Sequence, residues 1–187
     1  MSKKVLLAGE SWMSNTTHTK GFDSFFTGVY ETGETLLVEA LEANGYDVTF
    51  LPNHLAGEKF PFSLEELKEY DCIILSDIGA NTLLLPAVTF SKSVKMPNRT
   101  KIIRDYVLDG GSLLMIGGYL TFSGVDAKGK WHDTAVQDVL PVEILTVDDR
   151  MEHCEGVKPV TIKEHKALQG VGSDWPEVLG YNKTVAK

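Results

Sequence analysis

Three short runs of uninterrupted apolar residues constrain the fold most: Val5-Leu6-Leu7-Ala8, Cys72-Ile73-Ile74-Leu75 and Leu113-Leu114-Met115-Ile116. Each is too short for a buried helix and lacks the alternation of a half-wet strand. Such runs belong to parallel strands that helices cover on both faces. With Tyr46–Leu51 they give four strands, at residues 4–9, 46–51, 71–76 and 112–117. Helical patterns fall between them. Thr35–Asn44 places Leu37, Ala40 and Leu41 on one face and stops at Gly45. Ser63-Leu64-Glu65-Glu66 is a capping box, with Phe62 and Leu67 placed as a hydrophobic staple, and predicts a short helix over 64–69. Asn98–Asp109 predicts another, with Ile102, Ile103, Tyr106 and Val107 inward and Gly110-Gly111 ending it. Strand and helix in alternation predict a doubly wound α/β fold.

The rest of the chain is less regular. Phe22, Phe25, Phe26, Val29 and Tyr30 recur at helical spacing and are read as turns entering the helix at Thr35; such a stripe is core, or else a subunit interface or ligand wall. Ser76–Pro97 reads as a loop-like insertion whose Leu83-Leu84-Leu85 packs back onto the body. A weak helix is expected at Thr134–Val139 and a fifth strand at Val142–Val147. Val160–Ile162 is a further strand candidate, and Trp175–Tyr181 reads mostly as loop. With no interdomain linker, residues 1–187 are expected to form one domain.

Eighteen Lys and Arg against 26 Asp and Glu leave a net charge of -8 with no dense basic run. That balance excludes a general nucleic-acid binder and an anionic-membrane surface. The apolar stretch before Gly9 and Glu10 is too short for a signal peptide or a membrane span. Cys72 and Cys154 form no paired motif, so a cytoplasmic protein without disulfides is expected.

In an open parallel sheet, ligands bind beyond the carboxyl ends of the strands. The predicted strand ends deliver Gly9, Glu10, Ser11 and Trp12, then Asn53 and His54, then Ser76, Asp77 and Asn81. Further along come Gly117, Gly118 and Tyr119, then Asp148, Asp149 and Arg150. Glu10 and Asp77 stand out because each directly follows a strand; a carboxylate pair there can share a proton or grip hydroxyls, and the alternative is that each caps its own turn. His18 is the expected proton donor or acceptor and Lys20 a neutralising cation. Glu10, His18 and Asp77 are therefore the candidate catalytic residues, with Ser11, Trp12, Lys20, Asn81, Gly118, Tyr119, Asp149 and Arg150 as candidate ligand contacts. The histidines show no metal-ligand spacing, and no metal site is assigned. Gly9 alone, or Gly117-Gly118, falls far short of a dinucleotide fingerprint or a P-loop, so no cofactor is expected.

Taken in order, Gly9-Glu10-Ser11-Trp12, His18-Thr19-Lys20-Gly21-Phe22-Asp23 and Ser76-Asp77-Ile78-Gly79-Ala80-Asn81-Thr82 resemble a glutamine-amidotransferase-like family of bacterial cytoplasmic proteins. Pro97-Asn98-Arg99, Ile103–Val107, Gly117-Gly118-Tyr119 and Leu179-Gly180-Tyr181-Asn182 continue the resemblance over most of the chain. The family is related to class I glutamine amidotransferases and to trehalose-utilisation proteins. The resemblance implies a flavodoxin-like three-layer α/β fold with a mostly parallel central sheet. A class I enzyme carries its cysteine at the turn after a central strand; here that turn is Gly117-Gly118-Tyr119, and glycine supplies no thiolate. Family members also run past the equivalent of Lys187, so a C-terminal segment of the family is expected to be missing.

The function expected from these features is binding of a small polar, carbohydrate-like ligand, with no thiol-dependent glutaminase activity. If a reaction occurs, Glu10 or Asp77 serves as base and the Gly118 N–H holds developing oxyanion charge. A non-catalytic protein-interaction module is one alternative. A metal-dependent hydrolase, which needs His18 or His54 to converge with Asp77 and Asp149, is another. The expected partners are a small molecule and a second copy in a homo-oligomer, with neither nucleic acid nor membrane.

Overall fold

The computed structural model describes residues 2–187. The chain begins with β1 (Lys4–Gly9), β2 (Ser11–Lys20) and β3 (Asp23–Thr32), followed by α1 (Thr35–Ala43), β4 (Asp47–Pro52), α2 (Asn53–Lys59) and α3 (Leu64–Leu67). Next come β5 (Cys72–Ser76), α4 (Ala80–Leu84), α5 (Ala87–Lys92), α6 (Arg99–Leu108) and β6 (Ser112–Ile116). β7 (Val142–Ile144), β8 (Arg150–Val157), β9 (Val178–Asn182) and β10 (Thr184–Ala186) complete it.

The four predicted apolar strands form one parallel sheet in the order β4-β1-β5-β6. This is the flavodoxin-like order, in which the chain winds outward in both directions from β1 and β5. Alternate residues of β1 serve opposite faces. Leu6 and Ala8 join Ile73 and Leu75 of β5 beneath the helical side, with Phe60, Leu67, Ile78, Leu83, Ile103 and Trp131. Val5, Leu7 and Ile74 lie on the other face, under Leu37, Val38 and Leu41 of α1. That second layer is thinner than the apolar runs imply, for Leu114 of β6 remains 48% exposed. The capping expectations hold at Ser63, whose hydroxyl accepts the Glu66 N–H, and at Asn98, whose side chain accepts the N–H groups of Thr100 and Lys101.

Five expectations are overturned. The aromatic stripe Phe22–Tyr30 is not helical: it runs into β3, which pairs with β2 in an antiparallel hairpin of unbroken register from Ser11↔Thr32 to Lys20↔Asp23. Nor is it core, since Phe22, Phe25, Phe26, Val29 and Tyr30 are all exposed. The Ser76–Pro97 stretch holds two helices, α4 and α5, and of its leucines Leu83 is buried while Leu85 is exposed. The fifth strand shortens to β7, which pairs with β10 outside the parallel sheet. Val160–Ile162 is no strand, and the stretch read as loop before Tyr181 supplies β9, which pairs antiparallel with β8. Among the described residues no helix is long and apolar enough to cross a membrane.

Candidate functional site

Because all four strands of the sheet are parallel, the turns after β1, β5 and β6 emerge at one edge. β1 and β5 are neighbours there, which makes their ends the point where the winding direction reverses and a crevice opens. Gly9 makes their close approach possible. It adopts φ +119°, and a Cβ at this position would overlap the Ser76 carbonyl. The two following acids then take left-handed backbone conformations, Glu10 at φ 43° and Asp77 at φ 44°. Such conformations are costly for residues other than glycine and are retained where the surroundings over-determine them.

Those surroundings are specific. The Glu10 N–H donates to the Ser76 carbonyl at 2.9 Å, and the Glu10 carboxylate accepts the Ser76 hydroxyl. Asn53, at the start of α2, donates through Nδ2 to the carbonyls of Ser11 (2.8 Å) and Asp77 (3.0 Å), while its N–H donates to the Ser11 hydroxyl at 2.8 Å. Ser76 and Asn53 thus tie the two acidic turns together. Asp77 Oδ1 accepts the Leu120 N–H at 2.7 Å and lies 2.7 Å from where a Gly118 Cβ would stand. Glycine at 118 lets the turn after β6 close onto Asp77.

Beyond that turn lies a cleft of about 650 Å³, lined by Gly117–Tyr119, Phe122, Arg150–Glu152, Pro159 and Val178–Asn182. Tyr119 lies under the Arg150 guanidinium, 5.1 Å from ring centroid to Cζ. Arg150 also binds Asp148, with Nη2 to Oδ2 at 2.9 Å, and approaches Glu152 at 3.5 Å. Hydrogen bonds from Arg150, then the Asp126 N–H, hold the Asp148 carboxyl far below its ordinary value of 3.8. A folded-state value below the unfolded one gives stability that is complete above about pH 4 and is lost as pH falls. Asp148→Asn is therefore expected to flatten the acid limb of the stability curve below pH 4, as read by fluorescence-monitored acid unfolding.

Several sequence candidates do not gather at the carboxylate pair. His18 lies seven residues along β2 from Ser11, about 23 Å at strand rise, stacked on Phe25 at 4.6 Å and 3.0 Å from the Thr27 hydroxyl. It does not serve Glu10 or Asp77, because the segment is an extended strand rather than a loop folding back. Lys20 sits at the hairpin tip, 5.7 Å from the Phe25 ring. Trp12 is at the hairpin base and donates to Glu31. Asn81 is exposed on α4.

Two other candidates are occupied by the fold itself. Asp149 is fully buried and accepts the N–H groups of Ser123 (2.8 Å) and Gly124 (2.9 Å) and the Asn182 side-chain amide (2.8 Å), so its carboxylate anchors a loop. The Gly118 N–H donates to Asn182 Oδ1 at 2.9 Å and is not free for an oxyanion. Asn182, which holds both, follows a stretch read as loop and carried no motif. Neither Tyr181 nor Asn182 was a site candidate; the only signal was their place in the Leu179–Asn182 segment of the family resemblance.

Neither thiol reaches this edge. Cys72 begins β5, at the end of the strand opposite Asp77, and burial followed by the nearby Asp71 pushes its pKa upward. Cys154 is exposed on β8. Among the described residues, no three His, Cys, Asp or Glu side chains cluster as a metal site would require, and the convergence of His18 or His54 with Asp77 and Asp149 does not occur.

Residues 4–187 match the sequence model of a family described as "Putative glutamine amidotransferase". Among solved structures, the chain is similar to cytoplasmic protein STM3548 from Salmonella typhimurium, with 44% identity and a TM-score of 0.93 over 98% of this chain and 74% of that one. It is likewise similar to cytoplasmic protein STM1381 from Salmonella typhimurium LT2, with 46% identity and a TM-score of 0.93 over 98% of this chain and 75% of that one. No curated protein matches the sequence.

Proposed function

The chain belongs to this glutamine amidotransferase-like family, and from that premise we propose that it is a cytoplasmic protein that binds a small polar, carbohydrate-like ligand in the cleft beside Asp77 and does not hydrolyse glutamine through a thiolate. The observation that carries this reading is the composition of the cleft. Tyr119, beneath Arg150, and Tyr181, stacked on His153 at 5.7 Å, line it with aromatic surface of the kind that packs on a sugar, with Arg150 and Glu152 beside them for hydroxyl or carboxylate groups. The place of the cleft, next to the reversal point of the sheet, supports the same reading.

Thiol chemistry is disfavoured by placement. A thiolate attack needs sulfur at the turn after β6, where Gly117-Gly118-Tyr119 stands, and a raised pKa at Cys72 disfavours the reactive form. If the bound ligand also reacts, we assign the proton transfer to Glu10 or Asp77, carboxylates at the neighbouring strand ends that do not themselves line the cleft, without help from His18.

A thermal-shift panel of sugars, amides and nucleotides tests the proposal. A polyhydroxylated compound is expected to raise Tm, and Tyr119→Ala is expected to weaken that compound's binding about tenfold, the usual worth of one stacking contact. Asp77→Asn keeps an oxygen for the Leu120 N–H and tolerates the left-handed backbone. Its unliganded Tm is expected to stay within about 2 °C of the parent, while ligand stabilisation disappears. Collapse of the unliganded variant would assign Asp77 to the turn alone, and a panel without any stabilising compound would remove the ligand reading.

A further inference from the structure

The β2–β3 hairpin is the part of the molecule least explained by its own contacts. Two ten-residue strands stand as a separate two-stranded ribbon, and an isolated ribbon is at best marginally stable in water. Among the described residues its base is held through Ser11 against Asn53 and Tyr30 edge-on to His54 at 5.2 Å. Neither strand contains proline, a bulge or an interior lysine, the usual guards of an open edge.

The unbroken register sorts the side chains into two unlike faces. One face carries Trp12, Ser14, His18, Lys20, Asp23, Phe25, Val29 and Glu31, and so holds every charge of the hairpin. Its aromatic groups are engaged within the chain: Trp12 donates to Glu31, and His18 and Lys20 cover Phe25. The opposite face presents Met13, Asn15, Thr17, Phe26, Gly28 and Tyr30 and has no charged residue. There Phe26 is 76% exposed and Met13 55%, with Phe22 fully exposed at the tip.

We propose that this uncharged ribbon face is a homodimer interface, packed about a two-fold axis against the same face of a second copy. Charge selects that occupant. On a chain of net charge -8, like copies repel wherever their acidic surfaces meet, and this is an extended face where they meet without charge. A face used in both copies must also be self-complementary, and a two-stranded ribbon can meet its own copy face to face as sheets do. Size agrees. The exposed parts of Phe22, Phe26, Met13 and Tyr30 supply on the order of 500 Å² at about 200 Å² for a fully exposed side chain of this kind. The intervening Asn15, Thr17 and Gly28 bring the face toward the ~800 Å² that each partner gives to a standard interface.

Sedimentation velocity of the full chain from about 1 to 100 µM, a range that brackets transient to stable dimers, is the test. A dimer is expected. Phe26→Asp, on the uncharged face and clear of the core, is expected to weaken dimerisation by at least about 100-fold, as two like charges meet across the axis, with the circular dichroism spectrum of the folded chain unchanged. Phe25→Asp, on the other face, is expected to leave the dimer intact. A wild-type monomer throughout the range overturns the proposal, and so does an oligomer that survives Phe26→Asp or is lost equally with Phe25→Asp.

Discussion

Replacing Arg99 with Met is expected to cost about 3–5 kcal/mol of stability, because each buried carbonyl left without its donor costs about 1–3 kcal/mol. For a chain of this size that lowers Tm by roughly 6–20 °C, as read by circular dichroism. Arg99 is fully buried at the first turn of α6, and no carboxylate bonds it. Its Nε donates to the Leu83 carbonyl at 2.6 Å and Nη2 to Thr82 at 3.3 Å, both at the end of α4. Nη1 donates to Ala56 at 3.1 Å and Phe60 at 3.4 Å, at the end of α2. The guanidinium thus caps the carbonyl ends of two helices at once, where the backbone dipoles favour a cation. Phe62 lies 4.3 Å from its Cζ. Burial lowers the Arg99 pKa to about 10, still high enough to keep it charged at neutral pH. Methionine fills the volume but takes the donor from the carbonyls of Leu83, Thr82 and Phe60, while the Ala56 carbonyl keeps the Phe60 N–H at 3.1 Å. Arg99→Lys is expected to recover only part of the loss, since one ammonium cannot span both helix ends with the geometry of a planar fork. A Met variant that melts with the wild type would show that water takes over those carbonyls without penalty.

The contrast between Arg99 and the hairpin explains what was legible in the residues. The sheet could be read because parallel strands are apolar on both faces, and each run ends in a glycine or a polar residue. Glu10 and Asp77 were legible for the same reason: once the strand ends are known, so is the edge they share. The stripe at Phe22–Tyr30 misled because both faces of the ribbon carry large side chains. Phe22, Phe26 and Tyr30 share one parity and Phe25 and Val29 the other, and together they imitate a helical repeat. The β-branched residues Thr16, Thr17 and Thr19 and the turn at Gly21 were the competing strand signal. The role of Asn182 was not legible from its own neighbourhood, since it rests on partners 33 and 64 residues away. The same distance hides the buried role of Asp149, which in sequence is one acid in an exposed-looking Asp-Asp-Arg turn.

Asp149→Ala is expected to destabilise the protein by about 3–5 kcal/mol, because each buried donor left without a partner costs about 1–3 kcal/mol. Three donors converge on this carboxylate, the N–H groups of Ser123 and Gly124 and the side-chain amide of Asn182. Asn182 in turn fixes Gly118 on both sides, accepting its N–H at 2.9 Å and donating to its carbonyl at 3.1 Å. The Lys183 N–H donates to the Asp149 carbonyl at 2.7 Å, so the strands β8 and β9 meet at this residue. The loss is therefore expected to spread along one path, from the 123–124 loop through Asn182 to the turn that forms the cleft wall. Hydrogen exchange distinguishes this from a uniform loosening: the amides of Gly118, Ser123 and Gly124 should lose protection first, while those of β1 and β5 stay protected in the variant. Asp149→Asn, which keeps the shape but turns an N–H₂ toward a donor, is expected to fall between the wild type and Ala. If Asp149 instead served the ligand, the Ala variant would keep its Tm and lose only ligand-induced stabilisation. The two roles thus separate in a single melting experiment with and without the compound that the panel selects.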